Sequence, residues 1–93
     1  TRDQGLILRL GSMTAEQRLA VFLLSLSSRY QRLGFAADRF VLRMTREEIG
    51  SYLGLTLETV SRLFSRFQQE GLVVVRHRER TLDDIERLRR IAG

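Results

Sequence analysis

The chain has 93 residues, of which 43% are hydrophobic, so it is long enough for one small core and too short for two domains. The absence of cysteine and the single histidine exclude disulfides and thiolate metal sites, and no apolar run reaches the roughly 18 residues of a membrane span. Sixteen basic residues, all of them arginine, against eleven acids give a net charge of +5, which points to a partner that carries phosphates.

The first predicted elements are helical. An apolar stripe within residues 1–13 looks like the end of a helix and is too short to be stable by itself in water. Thr14 then opens a capping box with Gln17, so the sequence predicts a helix over residues 15–33 that stops at Gly34. Its apolar side chains recur every three or four residues, which predicts one buried face.

A strand and a short helix follow. Residues 40–44 favour β structure, with alternate apolar side chains on one face, and they predict a single strand. Thr45 and Glu48 form a second capping box, and Gly54 interrupts the helix that begins there after barely two turns.

The third predicted helix covers residues 56–70, begins at Thr56 as its N-cap and stops at Gly71. Together with the preceding helix it has the helix-turn-helix pattern. Small Gly50 allows the two helices to approach closely, and Gly54 permits a positive φ in the turn between them. The apolar positions bury one side of each helix and leave the outer side of the third helix free.

A basic hairpin is predicted next. Residues 72–75 are apolar and β-branched, the polar stretch RHRE turns the chain, and residues 80–82 can return as the partner strand. Asp83 or Asp84 then caps a last helix over residues 85–92. The basic residues assigned to the hairpin tip are Arg76, His77 and Arg78.

The outer face of the third helix carries short or hydrogen-bonding side chains, because positions three and four apart share a face. In a major groove a carboxylate can accept from the N4 amine of cytosine, whereas arginine can pair with guanine O6 and N7. A surface ion pair between Glu58 and Arg62 would also explain these residues, at about 0.3–0.5 kcal/mol. The helix-turn-helix context favours base reading. The residues on this face are Leu57, Glu58, Ser61, Arg62 and Ser65.

Helix N-termini and the hairpin tip are candidates for contacts with phosphate, since hydroxyls, exposed amides and guanidinium groups can all meet phosphate oxygens. Helix capping alone would also explain Thr45 and Thr56, and a solvated turn would explain any one of the hairpin residues. The candidate phosphate-binding residues are Thr45, Arg46, Thr56, Thr59, Arg76, His77 and Arg78.

Other functional classes have weaker support. A protein-contact module would show apolar patches on the third helix and hairpin. A nuclease-like enzyme would need carboxylates gathered in space, and no glycine-rich phosphate loop or paired His and Ser nucleophile is present, so we expect no enzyme. The remaining arginines are most simply interpreted as an exposed face; they are Arg66, Arg87, Arg89 and Arg90.

The run MTREEIGSYLGLTLETVSRLFSRFQQEGLV strongly resembles the DNA-binding domain of the CRP/FNR regulators, specifically the FNR and Anr branch. The preceding RDQGLILRL and MTAEQRLAVFLLSLSSRYQRLGF are similar to the end of that family's dimerisation helix and the first helix of its C-terminal domain. The resemblance implies an α+β winged helix-turn-helix over residues 14–93, with a three-helix core and a small antiparallel β-wing. Residues 1–13 would be the C-terminal end of the dimerisation helix and a hinge.

The resemblance also implies a bacterial transcription factor that binds, as a homodimer, an inverted repeat resembling TTGAT and its mirror copy. The motif E-x-x-S-R supplies the base contacts in the FNR branch, which assigns that role to Glu58, Ser61 and Arg62. Leu57 stands where the CRP branch has a base-reading arginine, and this argues against a CRP-type site.

Further expectations come from the resemblance. His77 stands where relatives often place glycine in the wing turn, and Arg80 replaces a usually apolar strand residue. No cofactor is expected in these residues; any effector or iron–sulfur cluster would belong to a sensory domain before Thr1. We expect a cytoplasmic protein without a membrane partner. The loop that touches RNA polymerase in family members corresponds to Gly34, Phe35, Ala36, Ala37, Asp38 and Arg39.

Overall fold

The computed structural model describes residues 12–93, which form four helices and one three-stranded sheet. The predictions for residues 1–11 lie outside the described residues. In chain order the elements are α1 (Ala15–Arg32), β1 (Arg39–Val41), α2 (Arg46–Leu53), α3 (Leu57–Gln69), β2 (Val73–Arg76), β3 (Glu79–Leu82) and α4 (Ile85–Ala92).

Two capping boxes set the starts of α1 and α2. The Thr14 hydroxyl accepts from the Gln17 N–H at 3.2 Å, and the Gln17 side chain accepts from the Thr14 N–H at 2.9 Å. Thr45 and Glu48 make the same exchange at 3.1 and 2.8 Å. Both predicted boxes are confirmed. They could be predicted because each depends only on residues three positions apart. At α4 the cap is Asp84, which resolves the two alternatives.

The sheet is antiparallel with strand order β1-β3-β2. Phe40 lies opposite Arg80, which lies opposite Val75, so the strand predicted alone is the third member of the wing sheet. The predicted bounds 40–44 are wrong, since β1 pairs only over Arg39–Val41. Strand β1 therefore attaches the wing to the loop that follows α1.

The hairpin turn is shorter than predicted. Arg76 and Glu79 pair as the last residues of their strands, which leaves only His77 and Arg78 in the turn. His77 has φ +54°, in the left-handed region that favours glycine and admits histidine at some cost. The position therefore demands the conformation that the expected glycine would adopt freely.

The turn between α2 and α3 depends on two glycines. Gly54 has φ +72° and ends α2 as predicted. A Cβ atom on Gly50 would lie 2.5 Å from the carbonyl oxygen of Leu55, so the close approach is to the backbone of the turn rather than between the two helices. The Leu55 N–H also donates to the Gly50 carbonyl at 2.7 Å. These contacts fix where α3 begins relative to α2.

The core lies between the four helices and the inner face of the sheet. Most apolar positions spaced for burial in the helices are buried or half-buried as predicted, whereas Tyr52 is exposed; the outer face of α3 is left open. The largest fully buried side chains are Phe64, Phe67, Leu19, Leu23, Ile49, Leu53, Leu72 and Leu88.

An ion-pair network joins three helices at the end of α3. Arg66 contacts Glu16 at 2.7 Å and Glu70 at 3.1 Å, and Arg87 contacts Glu70 at 2.8 Å. Arg66 lies on an exposed face as predicted and Arg87 is half-buried, but both are also held in ion pairs. Sequence patterns did not predict the Arg66–Glu16 and Arg87–Glu70 contacts, because the paired residues are 50 and 17 positions apart in the chain.

Candidate nucleic-acid interface

The outer face of α3 presents the predicted base-reading residues. Glu58 and Arg62 are exposed, and Ser61 between them is half-buried. Although the two charged residues are one helical turn apart, neither has an ion-pair partner within residues 12–93. The alternative interpretation as an i,i+4 ion pair is not supported by this geometry. The carboxylate and the guanidinium are both available to an external partner.

Leu57 extends the same face with an apolar side chain. It is the first residue of α3 and is 46% exposed. Ser65, two turns further on, is also exposed. The face therefore combines one carboxylate, one guanidinium, hydroxyls and a single large apolar side chain.

The threonines at the helix starts already have hydrogen-bond partners. The Thr56 hydroxyl accepts from the Thr59 N–H at 3.2 Å and donates to the Thr59 hydroxyl at 2.9 Å. Thr45 is engaged in its capping box. Capping thus accounts for Thr45 and Thr56, and phosphate binding by these threonines stays a prediction that must coexist with the caps.

Two other elements contact the ring of Phe64, a buried residue of α3. The guanidinium carbon of Arg46, in the first turn of α2, lies 5.7 Å from the ring centroid. The guanidinium carbon of Arg80, in β3, lies 5.2 Å from the same centroid. Arg80 Nη1 also donates to the His77 carbonyl at 2.7 Å. The start of α2, the middle of α3 and the wing turn are thereby linked.

Arg80 is a functional candidate that sequence reasoning noticed as unusual but did not assign to the interface. It is only 5% exposed, because its strand position faces inward between Phe40 and Val75. Burial, and secondly the positive charge of Arg46, lower the pKa of Arg80 below its ordinary value. The signal in the sequence was a cation at an inward position of an alternating strand.

The wing residues Arg76, His77 and Arg78 are all exposed. They lie at the end of β2 and in the turn, and none of them has an ion-pair partner within residues 12–93. In this part of the chain no group of three or more His, Cys, Asp or Glu side chains could hold a metal ion. None of its helices is long and apolar enough to cross a membrane.

The loop after α1 is a separate exposed surface. Leu33 and Phe35 are 65% and 63% exposed, and the Phe35 ring packs edge-on against Tyr30 at a centroid distance of 6.0 Å. The Ser27 hydroxyl donates to the Ala37 carbonyl at 2.5 Å and ties the loop to α1. The loop is therefore held in place while its apolar side chains face outward.

Comparisons with known proteins agree with this geometry. The Crp-like helix-turn-helix domain family matches residues 17–91. The chain is 57% identical, over its full length, to 38% of the transcriptional regulatory protein btr of Bordetella pertussis. It is 46% identical over 91 residues to the fumarate and nitrate reduction regulatory protein of Escherichia coli, covering 98% of this chain and 36% of that protein.

Two further comparisons support the same group. The transcriptional activator protein anr of Pseudomonas aeruginosa is 52% identical over 85 residues, which is 90% of this chain and 35% of that protein. The solved structure of FixK2 from Bradyrhizobium japonicum has a TM-score of 0.85 at 37% identity, covering 97% of this chain and 44% of that one.

The fold and the exposed recognition face define a winged helix-turn-helix domain. The chain belongs to the CRP/FNR family and corresponds to the C-terminal DNA-binding domain of its FNR branch. This is a family of transcription regulators and not of enzymes. The chain spans a little over a third of the length of the curated relatives it matches.

Proposed function

We propose that this domain reads a TTGAT-like half-site in the major groove, as one half of a homodimer bound to an inverted repeat. The observation that carries the proposal is the exposed face of α3, on which Glu58 and Arg62 stand one turn apart without any ion-pair partner in the described chain. The half-site and the homodimer rest on the resemblance to the FNR branch. Two of the similar proteins are named as a transcriptional regulatory protein and a transcriptional activator.

The base contacts follow from the chemistry of these side chains. Arg62 can donate two parallel hydrogen bonds to guanine O6 and N7, and Glu58 can accept from the N4 amine of cytosine. Ser61 is short enough to donate or accept at a neighbouring base edge. The carboxylate weakens nonspecific phosphate binding, but a wrong base leaves it desolvated and unpaired. Glu58 is therefore a specificity residue within a basic protein.

Phosphate contacts would hold α3 in register. Arg46 projects from the first turn of α2, and the exposed wing carries Arg76, His77 and Arg78. Such contacts carry no sequence information and fix the orientation of the protein on the duplex. The proposed grip also includes the helix-start threonines; the full set is Thr45, Arg46, Thr56, Thr59, Arg76, His77 and Arg78.

A second function is proposed for the loop after α1, as a surface that contacts RNA polymerase. The specific observation is the outward Phe35, beside Leu33, on a loop tied to α1 by Ser27. Contiguous exposed apolar surface marks protein contacts, whereas single exposed apolar side chains are common, so the choice of polymerase as the partner rests on the resemblance to the FNR branch. Substituting Phe35 by Ser should lower transcription activation while leaving DNA affinity unchanged; a parallel loss of DNA affinity would contradict a separate polymerase surface.

The first test is binding to a TTGAT inverted repeat. The chain, fused at its N-terminus to a dimeric coiled coil, is titrated by fluorescence anisotropy against the intact repeat and against a copy altered at the guanine–cytosine pair. Dimerisation supplies the effective concentration needed for the second half-site. We expect clear preference for the intact repeat at every salt concentration. Equal, salt-sensitive binding would leave only a phosphate binder, and no binding would favour a protein-contact module.

A pair of charge-matched variants isolates the role of Glu58. Glu58→Ala should reduce discrimination against the altered pair by about 1–3 kcal/mol, while nonspecific affinity stays the same or rises. Glu86→Ala, on α4, removes the same charge from a residue that is ion-paired with Arg89 and should leave discrimination intact. Equal losses on all sequences from Glu58→Ala would contradict base reading.

Arg46→Ala tests the phosphate grip. It should weaken binding to every sequence to a similar extent and reduce the slope of log affinity against log salt by about one. An altered base preference with an unchanged slope would contradict a phosphate role.

A further inference from the structure

Two guanidinium groups share the ring of Phe64. The guanidinium carbons of Arg46 and Arg80 lie 5.7 and 5.2 Å from the ring centroid. The distance between these two carbons therefore cannot exceed the sum of the two values. Neither has an ion-pair partner in the described part of the chain. Arg80 is only 5% exposed, and its Nε has no hydrogen-bond partner in the described part of the chain.

This arrangement is costly for folding alone. A buried charge is ordinarily paired, and exchanging an unpaired one for an apolar side chain is often neutral or stabilising. The strand position between Phe40 and Val75 suits an apolar residue, yet it holds a cation whose pKa is lowered by burial and by Arg46. A ligand of negative charge would relieve the repulsion between the two arginines.

The wing turn is part of the same cluster. Arg80 Nη1 donates to the carbonyls of His77 at 2.7 Å and Glu79 at 3.2 Å. His77 is the residue in the left-handed conformation, so the guanidinium of Arg80 is hydrogen-bonded to the strained residue of the turn. The charge of Arg80 and the position of the wing are thus coupled through one side chain.

We propose that Arg46 and Arg80 form a single site for one DNA backbone phosphate. Arg46 makes the contact, and the buried Arg80 is a positioning residue that adds positive potential and holds the wing turn. The first turn of α2 also carries Glu47 and Glu48, which offset the attraction of the helix terminus for an anion. The charge of Arg80 restores that attraction. This inference rests on the proposed DNA-binding function.

The test uses the 93-residue chain with a duplex at low salt. Arg80→Met removes the charge and keeps an unbranched apolar stem, and Arg80→Lys keeps the charge. We expect the methionine variant to be at least as stable as the parent in urea, yet to bind about 3- to 10-fold more weakly with a salt slope smaller by up to about one. The lysine variant should recover most of the slope. If the role of Arg80 were purely structural, DNA affinity would fall only in those variants whose stability in urea also falls.

A phosphate-by-phosphate measurement locates the site. Duplexes in which single phosphates are replaced by neutral methylphosphonates are titrated with the parent, Arg46→Ala and Arg80→Met. Neutralising one particular phosphate should lower the DNA affinity of the parent but hardly change that of either variant. The double variant should lose less affinity than the sum of the two single-variant losses. Independent effects, or an Arg80→Met variant that binds as the parent does, would overturn the shared site while leaving DNA binding intact. A parent chain that binds no duplex would overturn the proposed function itself.

Discussion

Substituting Gly50 by Ala should destabilise the domain, although alanine is the better helix former. In a helix interior the exchange alone contributes about 1 kcal/mol of stability. Here the new Cβ would lie 2.5 Å from the Leu55 carbonyl oxygen, well inside ordinary contact, and backbone rather than a flexible side chain would have to move. Overpacking of this kind costs about 1–3 kcal/mol.

The displaced turn would also strain a hydrogen bond. The Leu55 N–H donates to the Gly50 carbonyl at 2.7 Å, and weakening that bond adds about 0.5–1.5 kcal/mol. Set against the gain in helix propensity, the net loss is about 0.5–3.5 kcal/mol. For a domain of this size, that lowers the melting temperature by about 2–28 °C.

The measurement is urea unfolding followed by circular dichroism, with thermal melts as a second readout. Ser51→Ala, at the exposed neighbouring position of α2, is the matched control and should be as stable as the parent. DNA affinity, corrected for the folded fraction, should also fall for Gly50→Ala, because the turn sets the angle of α3. A Gly50→Ala variant with an unchanged or higher unfolding midpoint would refute the proposed contact with the turn.

Three further substitutions test the contacts that support the interface. Thr45→Ala should lose about 0.5–2 kcal/mol from the cap of α2, whereas Thr45→Ser should retain it, as urea midpoints would show. Glu70→Gln should lower the free energy of unfolding by about 0.5–1 kcal/mol at low salt and by less in 1 M salt, where screening is strong. The control Glu86→Gln, at the exposed pair within α4, should change it hardly at all. Equal effects of Glu70→Gln at both salt concentrations would contradict an ionic origin. Phe64→Ala should cost about 3–5 kcal/mol, measured by the same unfolding assay, and a loss below 1 kcal/mol would show that the ring is not a central packing element.

Local features of the domain could be predicted from sequence because they depend on residues close together in the chain. The capping boxes at Thr14 and Thr45 join residues three positions apart, and the left-handed turn at Gly54 needs only one residue without a side chain. The helical period likewise predicted the exposed face that holds Glu58 and Arg62. The residues proposed to read bases were therefore visible before the fold was known.

Other features were predicted only in part. The sequence placed a β-favouring segment near Phe40 and a basic hairpin after α3, but alternation within a strand does not identify its partner. The pairing of β1 with β3 became clear only from the register that sets Phe40 opposite Arg80. The close approach at Gly50 was expected at the helix contact, and the fold places it at the turn.

The sequence by itself determined where the first three helices begin, which side chains line the outer face of α3 and the family to which the domain belongs. Only the tertiary structure decided that Glu58 and Arg62 have no ion-pair partner among residues 12–93, that Arg66 reaches Glu16, and that Arg80 is buried against the ring shared with Arg46. The physical reason is that capping and helical periodicity act over a few residues of chain. Burial and charge pairing depend on which distant segments the folded core brings together.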